Sequence, residues 1–277
     1  IMVVKFRIMS DLHLEFYTHV NQLTRQILWT EEDKDCHLLL VGDIGNPLTA
    51  RKKKGPINYR PNGHFVELLK TLKSRFLSVV MISGNHEYYS CKSHNRTIDE
   101  MDGILKQLAE LAGVVFLQCE THTIVDPDTQ KQIVIYGTTL FTPITEIESR
   151  GMNDIVYIAD RPTLVSTHRT HLNWLLDQTF SPETSNIVMT HHVPFGGSHS
   201  GYYAGIIDRV KLRGPIAYWP CGHTHTNINK SILLDDLSTI PTAKKHGGDM
   251  FGPTQVVSCC IGYPQELGKQ PPLYISV

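Results

Sequence analysis

Short apolar runs punctuate the chain at residues 6–9, 37–41, 77–82, 114–117, 132–136, 186–189, 216–219 and 255–260. Their shortness and their Val and Ile content predict buried strands rather than helix segments. Between several of them, apolar residues recur at helical spacing. Phe65, Val66, Leu68, Leu69 and Leu72 form one such stripe, Met101, Ile104, Leu105, Leu108 and Leu111 a second, and Leu172, Leu175 and Leu176 a third. Thr97 with Glu100 has the spacing of a capping box at the start of the second helix, and Gly113 can stop it. Strands alternating with helices predict an α/β architecture in which helices cover the sheets. Two intervals read as long loops, 44–63 and 142–162, and loops of that length are often functional.

Composition narrows the picture. With 277 residues, 41% hydrophobic and 19% charged, the chain has the make-up of a globular protein. No repeat or linker divides it, so residues 1–277 are expected to form a single domain. A net charge of -1 argues against bulk nucleic-acid or membrane binding. No apolar run approaches the roughly 18 residues of a membrane span, and no secretory signal opens the chain. The six cysteines show no paired spacing, which suits reduced thiols and a cytoplasmic setting.

The chemistry is concentrated at the ends of the strands. Asp11-Leu12-His13, Gly42-Asp43, Gly84-Asn85-His86-Glu87, Thr190-His191-His192 and Gly222-His223-Thr224-His225 each follow an apolar run. In α/β folds the loops leaving the carboxyl ends of strands are where ligands bind. In an extended segment, residues two apart point the same way, which would let Asp11 and His13 approach one ion. A carboxylate such as Asp43 can bridge two cations, and Asn85 offers a neutral oxygen. Imidazoles among hard oxygen donors suit Mn, Fe or Zn. Adjacent His191 and His192 leave a strand in different directions, so one of them is expected at the metal. His86 can protonate a departing alkoxide or stabilise phosphoryl charge.

In this order and spacing, the motifs resemble the signature of the calcineurin-like metallophosphoesterases. The blocks lie between residues 11 and 225, so the resemblance spans most of the chain. It implies two mixed β-sheets packed as a sandwich flanked by helices. It also implies two metal ions, Mn foremost, with Fe, Zn, Co or Ni as alternatives. One ion would be held by Asp11, His13 and His225, the other by Asn85, His191 and His223, with Asp43 bridging. His191 is preferred to His192 because the family ligand directly follows the strand. Two ions about 3.5–4 Å apart can share an attacking hydroxide, with His86 assisting the leaving group. Blocks such as Ser10–Phe16, Met152-Asn153-Asp154 and Gly262-Tyr263-Pro264 resemble small bacterial-type members. Leu14 and Ile44-Gly45-Asn46-Pro47 depart from the phosphoprotein phosphatase branch, whose phosphate-gripping arginine has no counterpart there.

The expected activity is hydrolysis of a small phosphodiester or phosphomonoester, a nucleotide among them. The alternative is a non-catalytic protein-binding scaffold on the same fold, which would tend to have lost ligands or the leaving-group histidine. Arg51, Lys52, Lys53, Lys54 and Arg60, with no acidic residue in 44–63, would steer an anion if they face the site. His199 and Asn153 are candidate substrate contacts, although Asn153 and Asp154 read better as a helix cap. Trp174 with the third leucine stripe reads as helix packing.

Overall fold

A computed structural model of the chain describes residues 3–51, 58–144, 151–194, 212, 214–232, 253–266 and 270–277. The strands are β1 (Lys5–Met9), β2 (His37–Val41), β3 (Leu48–Arg51), β4 (Asn58–Pro61), β5 (Val79–Ile82), β6 (Val115–Phe116), β7 (Glu120–Val125), β8 (Gln132–Thr138), β9 (Ser185–Thr190), β10 (Tyr218–Pro220), β11 (Ile228–Ile232), β12 (Thr254–Ser258) and β13 (Leu273–Ser276). The helices are α1 (Val20–Thr24), α2 (Gly63–Lys73), α3 (Cys91–His94), α4 (Ile98–Ala112), α5 (Asn153–Tyr157) and α6 (Arg161–Leu176).

Two mixed sheets carry the fold. The first has the order β13-β1-β2-β5-β6, with β1, β2, β5 and β6 parallel and β13 antiparallel at its edge. The second runs β11-β12-β10-β9-β8-β7, parallel at its centre and antiparallel at both edges. Successive strand residues face opposite sides, and both sides are buried. Phe6, Ile8, Leu39, Val41, Val80 and Ile82 of the first sheet pack against Ile133, Ile135, Ile187 and Met189 of the second. The alternating residues Leu38, Leu40, Val79 and Met81 meet Phe65, Leu68 and Leu72 of α2 and Met101 and Leu105 of α4. Beneath the second sheet, Leu175 of α6 joins Val188, Trp219 and Val256, with Trp174 packed at the margin. This is the expected sandwich flanked by helices.

The predicted capping box is present: Thr97 Oγ1 accepts from the Glu100 amide at 3.1 Å, and Glu100 accepts from the Thr97 amide at 2.9 Å. Gly113 ends α4 at φ 72°. Three expectations are corrected. Interval 44–63 holds the antiparallel pair β3–β4, with Lys52, Lys53 and Lys54 outside the described residues and Arg60 exposed. Interval 142–162 holds α5 and the start of α6. Met152, not Asn153 or Asp154, occupies the N-cap of α5, and no side chain caps it.

The sheets are joined where the motifs emerge. Ser10 bridges in parallel to Cys260, its amide donating to Cys259 O while Ile261 N donates back to Ser10 O, both at 3.0 Å. Gly222 N donates to His191 O at 2.9 Å, and Asp11 N to Gly42 O at 3.0 Å. Parallel strands ending at one level thus bring loops of both sheets to a shared rim.

Candidate metal centre

At this rim the backbone departs from strand geometry to turn side chains inward. Asp11, His13, Asp43, His223 and His225 all have positive φ, between 48° and 71°. Asp11 and His13 are therefore not two residues of an extended segment; they converge through a turn. Left-handed backbone at non-glycine residues costs about 1–3 kcal/mol each and tends to persist where function requires it. Glycines make the close approach possible. A Cβ on Gly42 would lie 2.5 Å from His191 Nδ1, and one on Gly84 would lie 2.2 Å from Asp43 Oδ1.

Three groups of ligand-type atoms result among the described residues. Asp11, His13 and His225 form one, Asp43, His191 and His223 a second, and His13, Glu15 and His86 a third toward the rim, each with one atom per residue within 4.8 Å of the rest. Asp43 reaches toward the first two. Its Oδ2 is 3.3 Å from His191 Nε2 and 3.9 Å from His13 Nε2, and its Oδ1 accepts the His86 amide at 2.9 Å. His192 belongs to none of these groups; its ring lies 4.1 Å from that of His223 and 5.7 Å from that of Phe141, and both its nitrogens are buried without a hydrogen-bond partner.

Hydrogen bonds on the outer side decide which atoms face inward. His191 Nδ1 lies 2.8 Å from Val41 O, so it carries the proton and leaves Nε2 a bare acceptor. His225 Nδ1 is 2.6 Å from Glu266 Oε2, and His13 Nδ1 is 3.3 Å from Glu15 Oε1. Both Nε2 atoms are then acceptors in the neutral rings, yet they stand 2.9 Å apart. Two lone pairs at that distance need a cation, a proton or a metal, between them. The Asn85 amide donates to Asp154 Oδ1 at 3.0 Å and to Tyr89 OH at 2.9 Å, which points its oxygen inward.

Asp11 Oδ2, Asn85 Oδ1 and His191 Nε2 are consequently buried without a hydrogen-bond partner. Each such atom costs about 1–3 kcal/mol if nothing binds it. Three orphaned acceptors among carboxylates and imidazoles are the donor set a hard or borderline divalent metal takes. The electrostatics agree. Burial opposes charging His191, but the Asp43 carboxylate lifts its pKa to about 10. Burial would likewise raise Asp43, yet His191 and His86 hold it well below the usual carboxylate range. A field that retains an extra proton here favours a metal cation in its place. His223 goes the other way, lowered to about 3 by burial and then by the charge on His191.

His86 stands at the rim, its Nε2 3.9 Å from Asp43 Oδ2 and its side chain 11% exposed. Glu15 Oε1 holds its Nδ1 at 2.6 Å. Burial works against protonating His86, but Asp43 and the Glu15 bond raise it to about 9. Glu15 is itself held at about 2, its burial outweighed by hydrogen bonds from His13 and His86.

A sequence model of the calcineurin-like phosphoesterase family matches residues 4–227, which contain all five motifs and the three groups of ligand-type atoms. The chain belongs to the calcineurin-like phosphoesterase family. Uncharacterized protein L509 of Acanthamoeba polyphaga mimivirus is 26% identical over 253 residues, covering 79% of this chain and 84% of its own. Phosphopantetheinyl hydrolase PptH of Mycobacterium tuberculosis shares the fold, with a TM-score of 0.58 at 15% identity over 95% of this chain and 91% of that one. The calcineurin-like phosphoesterase YfkN of Bacillus subtilis aligns with a TM-score of 0.42 at 13% identity, over 92% and 81% of the two chains.

Of the positions singled out from the sequence of this calcineurin-like phosphoesterase, Asp11, His13, Asp43, Asn85, His86, His191, His223 and His225 meet at the rim. Asn153 lines a cavity beside His86. His199 lies outside the described residues. Four carboxylates were given no orienting role by the sequence reading. Glu15 and Glu266 orient imidazoles, and Asp154 orients Asn85. Glu87 accepts from the amides of Asp43, Ile44, Gly45 and Gly84 at 2.6–3.0 Å, pinning two motif loops together. Burial and the Asp43 charge push Glu87 up to about 7, against the N–H bonds from Gly45 and Gly84. Glu15, Glu87 and Asp154 lie in quoted blocks, so their position was the available signal.

Proposed function

We propose that the chain is a metal-dependent phosphoester hydrolase acting on a small phosphodiester or phosphomonoester. The observation that carries this reading is the set of buried, unpartnered acceptors on Asp11, Asn85 and His191, in a cluster whose outward nitrogens are tied down. One ion would be held by Asp11, His13 and His225, and another by Asn85, His191 and His223, with Asp43 serving both. Such a pair, Mn foremost, supplies Lewis acidity that offsets phosphoryl charge and makes water a better nucleophile. The protein's own part is orientation and proton transfer. Glu15 holds the His86 ring at the rim, where it can give a proton to the departing oxygen. Asn153, in the adjoining cavity, can hydrogen-bond the substrate.

A scaffold on this fold would be expected to have lost members of the cluster, whereas the eight residues converge. The fold neighbour PptH is described as a phosphopantetheinyl hydrolase, so a phosphopantetheinyl ester belongs among the substrates to try. The test is hydrolysis of bis-p-nitrophenyl phosphate and p-nitrophenyl phosphate by Mn-loaded and metal-stripped protein. Turnover that disappears on stripping and returns with Mn is expected. Turnover indifferent to stripping, or none from Mn-, Fe- or Zn-loaded protein on any ester, overturns the reading.

A further inference from the structure

A cavity of about 360 Å³ opens beside His86, bordered by the aromatic rings of Phe16, Tyr89, Tyr157 and Tyr263. The rings are paired. Tyr89 stacks on His86 at 4.2 Å and lies 5.3 Å from Tyr157, while Phe16 meets Tyr263 edge-on at 5.1 Å. Tyr89 is held in place by donating to Asp154 Oδ1 at 3.1 Å. Phe16 and Tyr157 are 55% and 46% exposed, so their faces are open to a ligand at the mouth of the site.

The charge of the lining is as informative as its shape. No lysine or arginine is among the described lining residues, and Glu15 is the one carboxylate among them. A second phosphate or a carboxylate on the leaving group would find no lysine or arginine there and would lie near the Glu15 carboxylate. A neutral ring finds π-faces, with the side-chain amides of Asn46 and Asn153 to hydrogen-bond its edge. The volume lies near the small end for ligand sites, suited to one ring system and not to a long chain.

Resting on the hydrolase reading above, we propose that this cavity seats the leaving group and that the leaving group carries a flat, uncharged aromatic ring, as in a nucleoside or a phenol. Hydrolysis forms a P–O bond from water and breaks the P–O bond to that group. The released oxygen takes its proton from His86, and the ring remains against Phe16 and Tyr157 until it departs.

The experiment uses metal-loaded full chain and three diesters sharing a methyl phosphate half. Their leaving groups are a nucleoside, a phenol, and a fluoroalkyl alcohol matched in acidity to the phenol. Phe16→Ala and Tyr157→Ala change exposed rings, so folding is expected to persist. Loss of one stacking partner should raise KM for the phenyl and nucleoside esters about tenfold with kcat held, and leave the fluoroalkyl ester unchanged. A rise for the nucleoside ester alone assigns a nucleobase; a rise for both assigns any neutral ring. Equal effects on all three esters, or none, overturn the proposal. Ligand-detected NMR with the free nucleoside and the phenol reads the cavity without turnover. If no ester is hydrolysed but ring binding is weakened by Phe16→Ala, the cavity assignment stands and the hydrolase reading falls. If no ester is hydrolysed and wild type binds neither ring better than the variants do, the cavity assignment falls as well.

Discussion

Two buried polar clusters grow from the same strand and end differently. In mid-β1, Arg7 Nη1 donates to both oxygens of Asp33 at 2.6 Å, and Nη2 donates to Leu28 O at 2.7 Å. The remaining capacity of Asp33 is filled by Tyr274 OH at 2.7 Å and the Thr30 amide at 3.0 Å. Only Arg7 Nε stays without a hydrogen bond, and the rings of Trp29 and Tyr274 flank the guanidinium. Two residues beyond the strand, Asp11 begins a cluster of carboxylates and imidazoles in which three acceptors are left open. The first cluster contains its own cation and closes on itself. The second has acceptors without a fixed cation, and so has a place for one. Burial of polar groups is common to both; the sign of what is left over distinguishes a structural network from a binding site.

The sharpest way to break this contrast is to remove one member from each side. His86→Ala should lower kcat by about 10²–10⁴-fold while metal content, read by elemental analysis, stays at the wild-type level. A variant that turns over normally would remove His86 from the chemistry. Asp33→Ala strands a buried guanidinium and should cost about 3–5 kcal/mol of stability, lowering Tm by roughly 10 °C. Its kcat per folded molecule should not change. If instead Asp33→Ala left Tm alone and depressed turnover, the closed cluster would not be merely structural.

What could be read from the chain follows the same physics. Central strands such as β2 and β9 are buried on both faces, so their sequences are near-continuous apolar runs. β7 alternates between half-buried and exposed positions, β13 sits at an edge, and the β3–β4 pair lies amid basic residues. Their existence is decided by neighbours, which no local pattern records. The motif residues were legible because each follows a legible strand. Their orienting carboxylates were not: Glu15 lies 71 positions from His86, Asp154 69 from Asn85, and Glu266 41 from His225. The backbone turn that joins Asp11 to His13 was equally hidden, since left-handed φ at an Asp or His has no signature in composition.

Asp102 sharpens the closed side of the comparison, because it is a carboxylate held by a phenol and not by a cation. Tyr88 OH donates to it, but burial outweighs that bond and raises its pKa to about 7. Against about 3.9 in the unfolded chain, the folded protein then binds the extra proton between those values. This contribution to stability is therefore full at low pH and is lost as pH rises toward 7. Between about pH 5 and pH 7 the loss should reach ~2 kcal/mol, and Asp102→Asn should abolish it. Urea unfolding across that range checks the slope; a wild-type-minus-variant difference that does not vary with pH rules it out.

The smallest effect tests whether Glu15 belongs to the open cluster or only borders it. Glu15→Gln keeps an oxygen that can accept from His86 Nδ1 but removes the charge that orients the ring. Partners of this kind typically contribute 10–100-fold, and the retained acceptor places the expected loss near the low end, about tenfold in kcat. Because Glu15 also touches His13, metal content must be measured beside activity. A role in orienting the proton donor makes a further demand that a packing role does not. The loss should grow as the leaving group becomes more basic and shrink for p-nitrophenol, which departs without help. Residues that act as a unit are not additive, so Glu15→Gln should cost almost nothing further once His86 is alanine. An undiminished tenfold cost in that background would mean that Glu15 works through His13 and the metal, not through His86.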